Sequence, residues 1–465
     1  MQYISTRGSA PALGFEDVLL AGLARDGGLY VPESWPQFSP DDIRALAGRR
    51  YQDQVLAVTR PLIDGAIPEA DMVDMVEAAY AGFDHQAVVP LKQLGPNEWL
   101  LELFHGPTLA FKDLAMQLLG RQIDYELARR GQRATIVGAT SGDTGAAAVE
   151  AFKGLDAVDI FILHPEGRVS EVQRRQMTTV TQANVHNIAL QGTFDDCQAI
   201  VKSLFGDAEF RDSRNLAGVN SINWARVMAQ IVYYFSAAVA LGAPDRPVSF
   251  VVPTGNFGDI FAGYAAKRMG LPIDRLVIAT NVNDILARTL ETGRYDLDGV
   301  VATVSPSMDI QISSNFERAL FDALERDAGG VVGLMDDLRD AGGFALPQGT
   351  LDFIRGHFDA GRTDEQGTLD TIRRVLGETG ELVDPHTAVG LSVARTAELA
   401  PGVPVVTLAT AHPAKFPDAV ARASGVTPEL PSRLSDLYQR PERVEVLPND
   451  FDAVKAHIET TIAAG

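Results

Sequence analysis

Short, continuous runs of β-branched and aliphatic residues alternate with helical patterns along most of this chain, and this alternation most constrains its fold. Examples are the runs at 134–140, 158–165 and 248–254, each of which is followed by a segment with helical periodicity. Strands that are apolar on both faces are typical of parallel sheets whose two faces are covered by helices. The pattern therefore predicts an α/β architecture built on parallel sheets.

The length of 465 residues predicts two or three packed domains. Residues 1–90 are expected to form a mainly helical N-terminal domain, because helical patterns dominate there and a Gly/Pro-rich segment interrupts them. Residues 91–225 and 226–465 are expected to form two α/β domains, the second with a helical insertion near 310–380. We find no internal repeat that would indicate a solenoid.

Charge, apolar runs and cysteine content limit the partners and the cellular compartment that the sequence predicts. Lys and Arg total 40 against 61 Asp and Glu, so the formal net charge of −21 argues against a nucleic-acid surface. No run of 18 apolar residues could span a bilayer, and the first residues lack the features of an export signal. Cys197 is the single cysteine, so no intramolecular disulfide is possible and a cytoplasmic location is expected.

Two loops follow predicted strands and precede predicted helices, which is where α/β sheets bind anions. They are GATSGDTGAAA at 138–148 and VVPTGNFGDIFAG at 251–263. Neither matches the glycine spacing of dinucleotide-binding loops or of nucleotide-phosphate loops, so NAD and ATP are poorly supported. Glycine and serine also serve simple turn geometry, and each loop alone leaves that alternative open.

Lys112 follows Phe111 at the start of an otherwise apolar helical segment. Burial and a position near a helix N-terminus both lower the pKa of an amine, and a neutral amine is what an imine-forming lysine requires. The alternative is an exposed lysine whose aliphatic stem covers neighbouring apolar side chains. This segment by itself leaves both interpretations open.

Metal binding is not indicated. The eight histidines show neither the H-x-H nor the H-E-x-x-H spacing, and no cysteine cluster could join them. Cys197 itself is in phase with Phe194, Ile200 and Leu204 on one helix face, which predicts a core position. We therefore expect no metal site.

Four motifs occur in one order along the chain, and their joint presence is more specific than any one of them. They are HGPTLAFKD (105–113), SGDTGAAA (141–148), PTGNFGD (253–259) and TAHPAKFP (410–417). Together with YISTRG, RDGGLYVP and NSINWARV they resemble the threonine synthase family of fold-type II pyridoxal-phosphate (PLP) enzymes. The resemblance spans residues 3 to about 417. It implies a tryptophan synthase β-like fold, with two parallel-sheet α/β domains, a helical N-terminal domain and PLP as cofactor.

The resemblance also implies roles for individual residues. Lys112 would bind the cofactor covalently and act as the catalytic base, and Thr410 would place its hydroxyl at the pyridine nitrogen. The cofactor phosphate would be held by Gly255, Asn256, Phe257, Gly258 and Asp259. The substrate carboxylate and the ring edge would be met by Ser141, Gly142, Asp143, Thr144 and Gly145. The substrate phosphate would be contacted by Ser221, Arg226 and Lys415.

Two of these positions carry an acid where many relatives carry an amide. A carboxylate placed directly on a phosphate would be repelled. Asp259 is therefore expected to contact the phosphate loop through its backbone, or to cap the following helix with its side chain. Asp143 stands where many fold-type II relatives have an asparagine that bonds the cofactor's ring oxygen.

The implied reaction is the conversion of O-phospho-L-homoserine and water to L-threonine and phosphate, by γ-elimination and then β-addition of water. The expected oligomeric state is a monomer or a homodimer. Two alternatives share most of the motifs: a PLP-dependent phospho-lyase, and a serine or threonine dehydratase that needs no second phosphate site. A non-catalytic protein that binds PLP or a phosphoamino acid would not need Lys112, which is present with all its surrounding motifs.

Overall fold

The computed structural model describes residues 1–218 and 221–464. The first 80 residues contain two short antiparallel strands and four helices, of which the two longest bury one face each. These elements are β1 (Tyr3–Ser5), α1 (Phe15–Ala21), β2 (Tyr30–Pro32), α2 (Pro40–Arg44), α3 (Tyr51–Ile63) and α4 (Glu69–Tyr80).

Strands and helices then alternate as the apolar runs predict. The next elements are β3 (Leu91–Gln93), β4 (Glu98–Glu102), α5 (Lys112–Arg130), β5 (Ala134–Ala139), α6 (Asp143–Phe152), β6 (Val158–Pro165), α7 (Glu171–Thr178), β7 (Val185–Gln191), α8 (Phe194–Gly206), α9 (Ala208–Ser213), β8 (Leu216–Ala217) and α10 (Trp224–Ala240). Helix α10 is buried on all sides, with 15 of its 17 residues inaccessible to solvent. A helix that is apolar all round belongs in the interior of a large domain.

The second half of the chain completes the larger sheet and carries most of the remaining helices. Its elements are β9 (Val248–Pro253), α11 (Gly258–Arg268), β10 (Ile273–Thr280), α12 (Ile285–Thr292), β11 (Arg294–Asp296), α13 (Phe316–Ala323), α14 (Ala328–Ala341), β12 (Gly343–Ala345), α15 (Gln348–His357), β13 (Phe358–Arg362), α16 (Glu365–Thr379), α17 (Pro385–Ala394), β14 (Val405–Ala409), α18 (Pro417–Ser424), β15 (Glu445–Pro448) and α19 (Phe451–Ala464). Short 3₁₀ turns occupy Pro306–Met308, Pro413–Lys415 and Ser432–Leu434.

Two sheets form the framework. The larger has the strand order β13-β10-β9-β14-β4-β3 and is parallel except for the β3–β4 pair. The smaller has the order β15-β7-β6-β5-β8 and is parallel throughout. The prediction of an α/β fold with two parallel-sheet domains is confirmed, since continuous apolar strands such as β9 are buried along their whole length.

Each of the two sheets takes strands from both of the predicted ranges, 91–225 and 226–465, so neither range coincides with one sheet. Strands β3 and β4 lie in the larger sheet, where β4 pairs with β14 from Val405↔Glu98 to Ala409↔Glu102. Strand β15 lies at the edge of the smaller sheet, beside β7. Backbone hydrogen bonding to a distant strand decides this membership, and no local sequence pattern reports it.

The candidate site lies where strands end. Strands β5, β9 and β14 finish at Ala139, Pro253 and Ala409, and the predicted motifs begin within two residues of each end. Ligands of open α/β sheets bind beyond these carboxyl ends. Within the described residues, no helix combines the length and the apolar character needed to cross a bilayer.

Close packing of α5 on α6 sets the distance between the residues at their N-termini. Gly120 in α5 lies so close to α6 that a Cβ atom on it would be 2.7 Å from the carbonyl oxygen of Ala151. Because Lys112 opens α5 and Asp143 opens α6, any separation of the two helices also separates those two side chains.

We expect Gly120→Ala to destabilise the protein by about 1–3 kcal/mol, because overpacking forces two helices apart. The matched control is Gly333→Ala in α14, where an added Cβ would meet nothing within 4 Å. There the same substitution should raise stability by up to about 1 kcal/mol through helix propensity. Thermal or urea unfolding of both variants measures the difference, and equal effects would contradict this account of the α5–α6 contact.

Candidate active site

Lys112 is the first residue of α5 and only 7% of it is exposed. Its Nζ lies 3.3 Å from Oδ2 of Asp143 and 5.1 Å from the centre of the Phe111 ring. Burial lowers the pKa of this amine, and the neighbouring Asp143 carboxylate only partly opposes the effect. Lys112 is therefore a buried amine rather than an exposed one lying over apolar neighbours.

The Asp143 carboxylate accepts from four groups. Its Oδ2 faces Lys112 and the Ser307 hydroxyl, the latter at 3.1 Å. Its Oδ1 lies 2.9 Å from Nζ of Lys415 and accepts from Nε2 of Gln173 at 2.8 Å. Burial by itself raises the pKa of Asp143, but the ammonium groups of Lys415 and Lys112 hold that pKa well below its usual range. Asp143 is thus an anion that bridges two buried lysines.

The loop before Lys112 is fixed by its own hydrogen bonds. The Asp113 carboxylate accepts from the backbone N–H and the hydroxyl of Thr108, both at 2.7 Å. The Thr108 carbonyl in turn accepts from Lys415 at 2.7 Å. The N–H of Phe111 donates to the Thr410 carbonyl at 2.9 Å, which places Thr410 directly beside the start of α5.

The loop at 255–258 has the form of an anion cradle. Its carbonyls are occupied, since that of Gly255 accepts from the Ser313 hydroxyl at 2.6 Å and that of Asn256 accepts from the N–H of Asn315 at 3.0 Å. Among the described residues, none of the N–H groups of 255–258 donates a hydrogen bond. Free N–H groups at a helix N-terminus attract phosphate.

Two residues give this loop its shape. A Cβ atom on Gly255 would lie 2.7 Å from the carbonyl oxygen of Ser307, so only glycine allows that approach. Phe257 has a left-handed backbone (φ 62°) and packs its ring against Phe316 and Phe358. The phenylalanine side chain therefore belongs to the core, and what Phe257 presents to a ligand is its backbone.

The loop at 141–145 begins with an exposed serine and then turns sharply into α6. Gly142 has φ 148°, and a Cβ atom there would lie 2.5 Å from the Gln173 side chain. The Thr140 hydroxyl accepts from the N–H groups of Gly142 and Gly145, at 3.0 and 2.9 Å. These hydrogen bonds fix the start of α6, where Asp143 contacts Lys112. Thr144 is half-buried beside it.

Asp259 does not cap α11 with its side chain. Its Oδ1 accepts from the hydroxyls of Tyr233 and Tyr234 on α10, while its buried Oδ2 has no hydrogen-bond partner among the described residues. Burial raises the pKa of Asp259 to about 6, although both tyrosine hydroxyls oppose the shift. The sequence expectation of a side-chain cap is wrong, because the tyrosine hydroxyls are better placed donors.

Two further cationic side chains lie near Lys112. Arg226 is buried in the first turn of α10, where burial lowers its pKa to about 10, and its charge helps to lower the pKa of Lys112. Lys415 is completely buried. Ser221 lies next to the 255–258 loop, since its carbonyl accepts from Nδ2 of Asn315 at 3.2 Å. These local cations favour an anionic ligand although the whole chain is acidic.

Sequence reasoning missed four residues of this cluster. They are Gln173 on α7, Ser307 in a 3₁₀ turn, and Asp384 with His386 at the start of α17. None lies in the four motifs, and serine or glutamine at these places carries no distinctive spacing. The one available signal was Asp-Pro-His-Thr at 384–387, which has the residue types of a helix N-cap.

These residues fit PLP. The cofactor needs a buried amine of lowered pKa, a cradle of free N–H groups for its phosphate, and a polar group for the pyridine nitrogen. Lys112, the 255–258 loop and Thr410 supply groups of these three kinds. Among the described residues no cluster of His, Cys, Asp and Glu has the composition of a metal site.

Comparison with known proteins agrees with this site. Family models match three consecutive parts of the chain: "Threonine synthase N terminus" over residues 2–80, "Pyridoxal-phosphate dependent enzyme" over 85–338 and "Threonine synthase, C-terminal" over 387–458. Curated relatives include the threonine synthases of Pseudomonas aeruginosa, 55% identical over 98% of both chains, and Corynebacterium glutamicum, 44% identical over 100% of this chain and 99% of that one.

Solved structures match over the full length as well. PLP-bound threonine synthase from Brucella melitensis is 61% identical, with a TM-score of 0.98 over 99% of each chain. Threonine synthase from yeast is 40% identical, with a TM-score of 0.95 over 100% of this chain and 99% of that one. Fold and site together define a PLP-dependent enzyme of fold type II. Within that class, the chain belongs to the threonine synthase family.

The raised pKa of Asp259 predicts how stability depends on pH. Because this carboxyl holds its proton more tightly when folded, its contribution is full below pH 4 and is lost as the pH rises through about 6. Relative to Asp259→Asn, cofactor-free wild-type protein should therefore lose about 1–3 kcal/mol between pH 4 and 7. Urea unfolding of both proteins at several pH values measures this difference, and a constant difference would contradict the assignment.

Proposed function

We propose that this site converts O-phospho-L-homoserine and water to L-threonine and phosphate. The observation that carries the proposal is a buried lysine of lowered pKa paired with Asp143, whose partner Ser307 lies against Gly255 of the 255–258 loop. PLP, when bound, delocalises the negative charge left at the substrate Cα. The residues of the chain then have to bind, orient and move protons.

Lys112 is the proton carrier. Its Nζ takes the proton from the substrate Cα and later returns one to the same carbon, which requires an amine that can be neutral near pH 7. Burial favours this neutral form, and Asp143 at 3.3 Å accepts a hydrogen bond from the nitrogen in either state. Lys415 stays bonded to Asp143 and the Thr108 carbonyl, so Asp143 keeps one cationic partner while Lys112 is neutral.

Two phosphate groups need two sites. The N–H groups of residues 255–258 hold the cofactor phosphate, and Asp259 avoids repelling it because its carboxyl faces Tyr233 and Tyr234. Arg226, Lys415 and Ser221 are the proposed contacts for the phosphate of the substrate. Arg226 and Lys415 support this role because both are buried cationic side chains whose charges act on Lys112.

We also propose the partners, the compartment and the oligomeric state of the enzyme. A net charge of −21 supports a protein that binds no nucleic acid. A single, completely buried cysteine supports a reducing cytoplasm. We expect a monomer or a homodimer, which sedimentation of the holoenzyme would distinguish.

Lys112→Ala should lower turnover at least about a thousandfold, because both the covalent anchor and the base are lost. Borohydride should then no longer fix the cofactor to the chain. The control is Lys92→Ala on β3, which should leave turnover within about twofold because the exposed Lys92 side chain pairs with Glu381 away from the site. Retained turnover in Lys112→Ala would refute the assignment.

The deciding experiment for the reaction measures threonine formed per phosphate released from O-phospho-L-homoserine by the PLP-loaded protein. A ratio near one supports the synthase reaction. Phosphate with a keto acid in place of threonine would indicate a phospho-lyase, and no phosphate release would remove this substrate.

A further inference from the structure

A chain of hydrogen bonds leads from helix α17 to Asp143. The Asp384 carboxylate is completely buried and accepts from the His386 ring at Nδ1, 2.7 Å away, and from the His386 backbone N–H at 2.9 Å. It also accepts from the backbone N–H and the hydroxyl of Thr387. His386 is thereby held at the first turn of α17, with its ring packed against Phe416.

The partners of His386 fix its tautomer. Nε2 accepts from the backbone N–H of Ser307 at 3.1 Å, and a backbone N–H can only donate. Nε2 therefore carries no proton, while Nδ1 donates its proton to Asp384. The ring is neutral and oriented, in the way that a carboxylate orients a histidine in other sites.

Ser307 links the oriented His386 ring to Asp143. Its N–H is held by His386 while its hydroxyl donates to Oδ2 of Asp143 at 3.1 Å. The turn that carries Ser307 is braced from the other side, because the Asp309 carboxylate accepts from Asn281, Asn283 and Thr303. Ser307 is thus held between the loop fixed by Asp309 and the oriented ring of His386.

We propose that Asp384, His386 and Ser307 form a positioning chain that aims Oδ2 of Asp143 at Lys112. Apart from Lys112 itself, Ser307 is the one partner of that oxygen among the described residues, since Gln173 and Lys415 both bind Oδ1. When the chain is broken, Asp143 is free to turn toward Lys415, and the proton on the Lys112 nitrogen loses its nearest anion. The three residues act through Asp143, and their proposed role needs no contact with the Lys112 nitrogen or the substrate Cα.

Only the expected changes in kcat and KM rest on the proposed function. The charged groups that face Lys112 are Asp143, Arg226 and Lys415, and only Asp143 stabilises a proton on its nitrogen. Loss of the chain should therefore lower the pH at which the cofactor-bound lysine nitrogen loses its proton. That midpoint is read from the absorbance of the PLP-loaded enzyme without substrate.

The variants are Ser307→Ala, His386→Phe, His386→Gln and the double variant Ser307→Ala with His386→Phe. His386→Phe keeps the ring shape but removes the acceptor for Ser307, whereas His386→Gln offers an amide oxygen as acceptor in its place. The control is His357→Phe on α15, whose ring lies among Tyr264, Phe353 and Phe358, outside the cluster. Thermal unfolding of each holoenzyme confirms that it is folded.

We expect Ser307→Ala and His386→Phe each to lower the absorbance midpoint by about half a pH unit or more. They should lower kcat at least about fivefold, with KM changed less than about twofold. The double variant should be no worse than the poorer single variant, because both break one chain. His386→Gln should recover part of the loss, and His357→Phe should match wild type.

A midpoint that is unchanged or raised in Ser307→Ala overturns the proposal, as do additive effects in the double variant. A histidine that served only packing would lower the melting temperature in His386→Phe without moving the midpoint. If the wild type makes no threonine, the proposed function fails, while the absorbance midpoints still judge the chain because they need no substrate.

Discussion

The buried anion at Asp143 is the interaction on which the rest of the site depends. A carboxylate removed from water is costly unless it is paired and fully hydrogen-bonded, and Asp143 has two ammonium groups, a hydroxyl and an amide as partners. Removing either lysine would take away part of the compensation of this buried charge. The close packing of α5 on α6, seen in the contact of Gly120 with Ala151, keeps Lys112 and Asp143 together.

Segments far apart in the chain supply this one cluster. Lys112, Asp143, Ser307, His386 and Lys415 each come from a different strand-to-helix or loop connection. Parallel strands bring their carboxyl ends to one edge of a sheet, which is why such distant segments can meet there. The buried strands beneath them keep the polar side chains at fixed distances, while the N–H groups of the 255–258 loop donate to none of the described residues.

The net charge of the whole chain does not describe its interior. The chain carries a net charge of −21, yet Lys112 and Lys415 both contact the buried Asp143 carboxylate and Arg226 lies near Lys112. Screening in solution confines the influence of surface charges to about 8 Å, whereas buried cations act through a medium of lower dielectric constant. An acidic enzyme can therefore bind a phosphorylated substrate.

The sequence by itself determined the α/β class, two glycine-rich loops between strands and helices, and a lysine at the start of a helix, because continuous apolar strands and glycine-rich turns have local physical causes. Four motifs in order identified the family. Tertiary structure alone decided that β4 pairs with β14, that Asp259 faces two tyrosines rather than capping its helix, and that Ser307 and His386 reach Asp143. Such contacts join residues more than 20 positions apart, and the hydrogen bonds that select them exist only once the chain has folded.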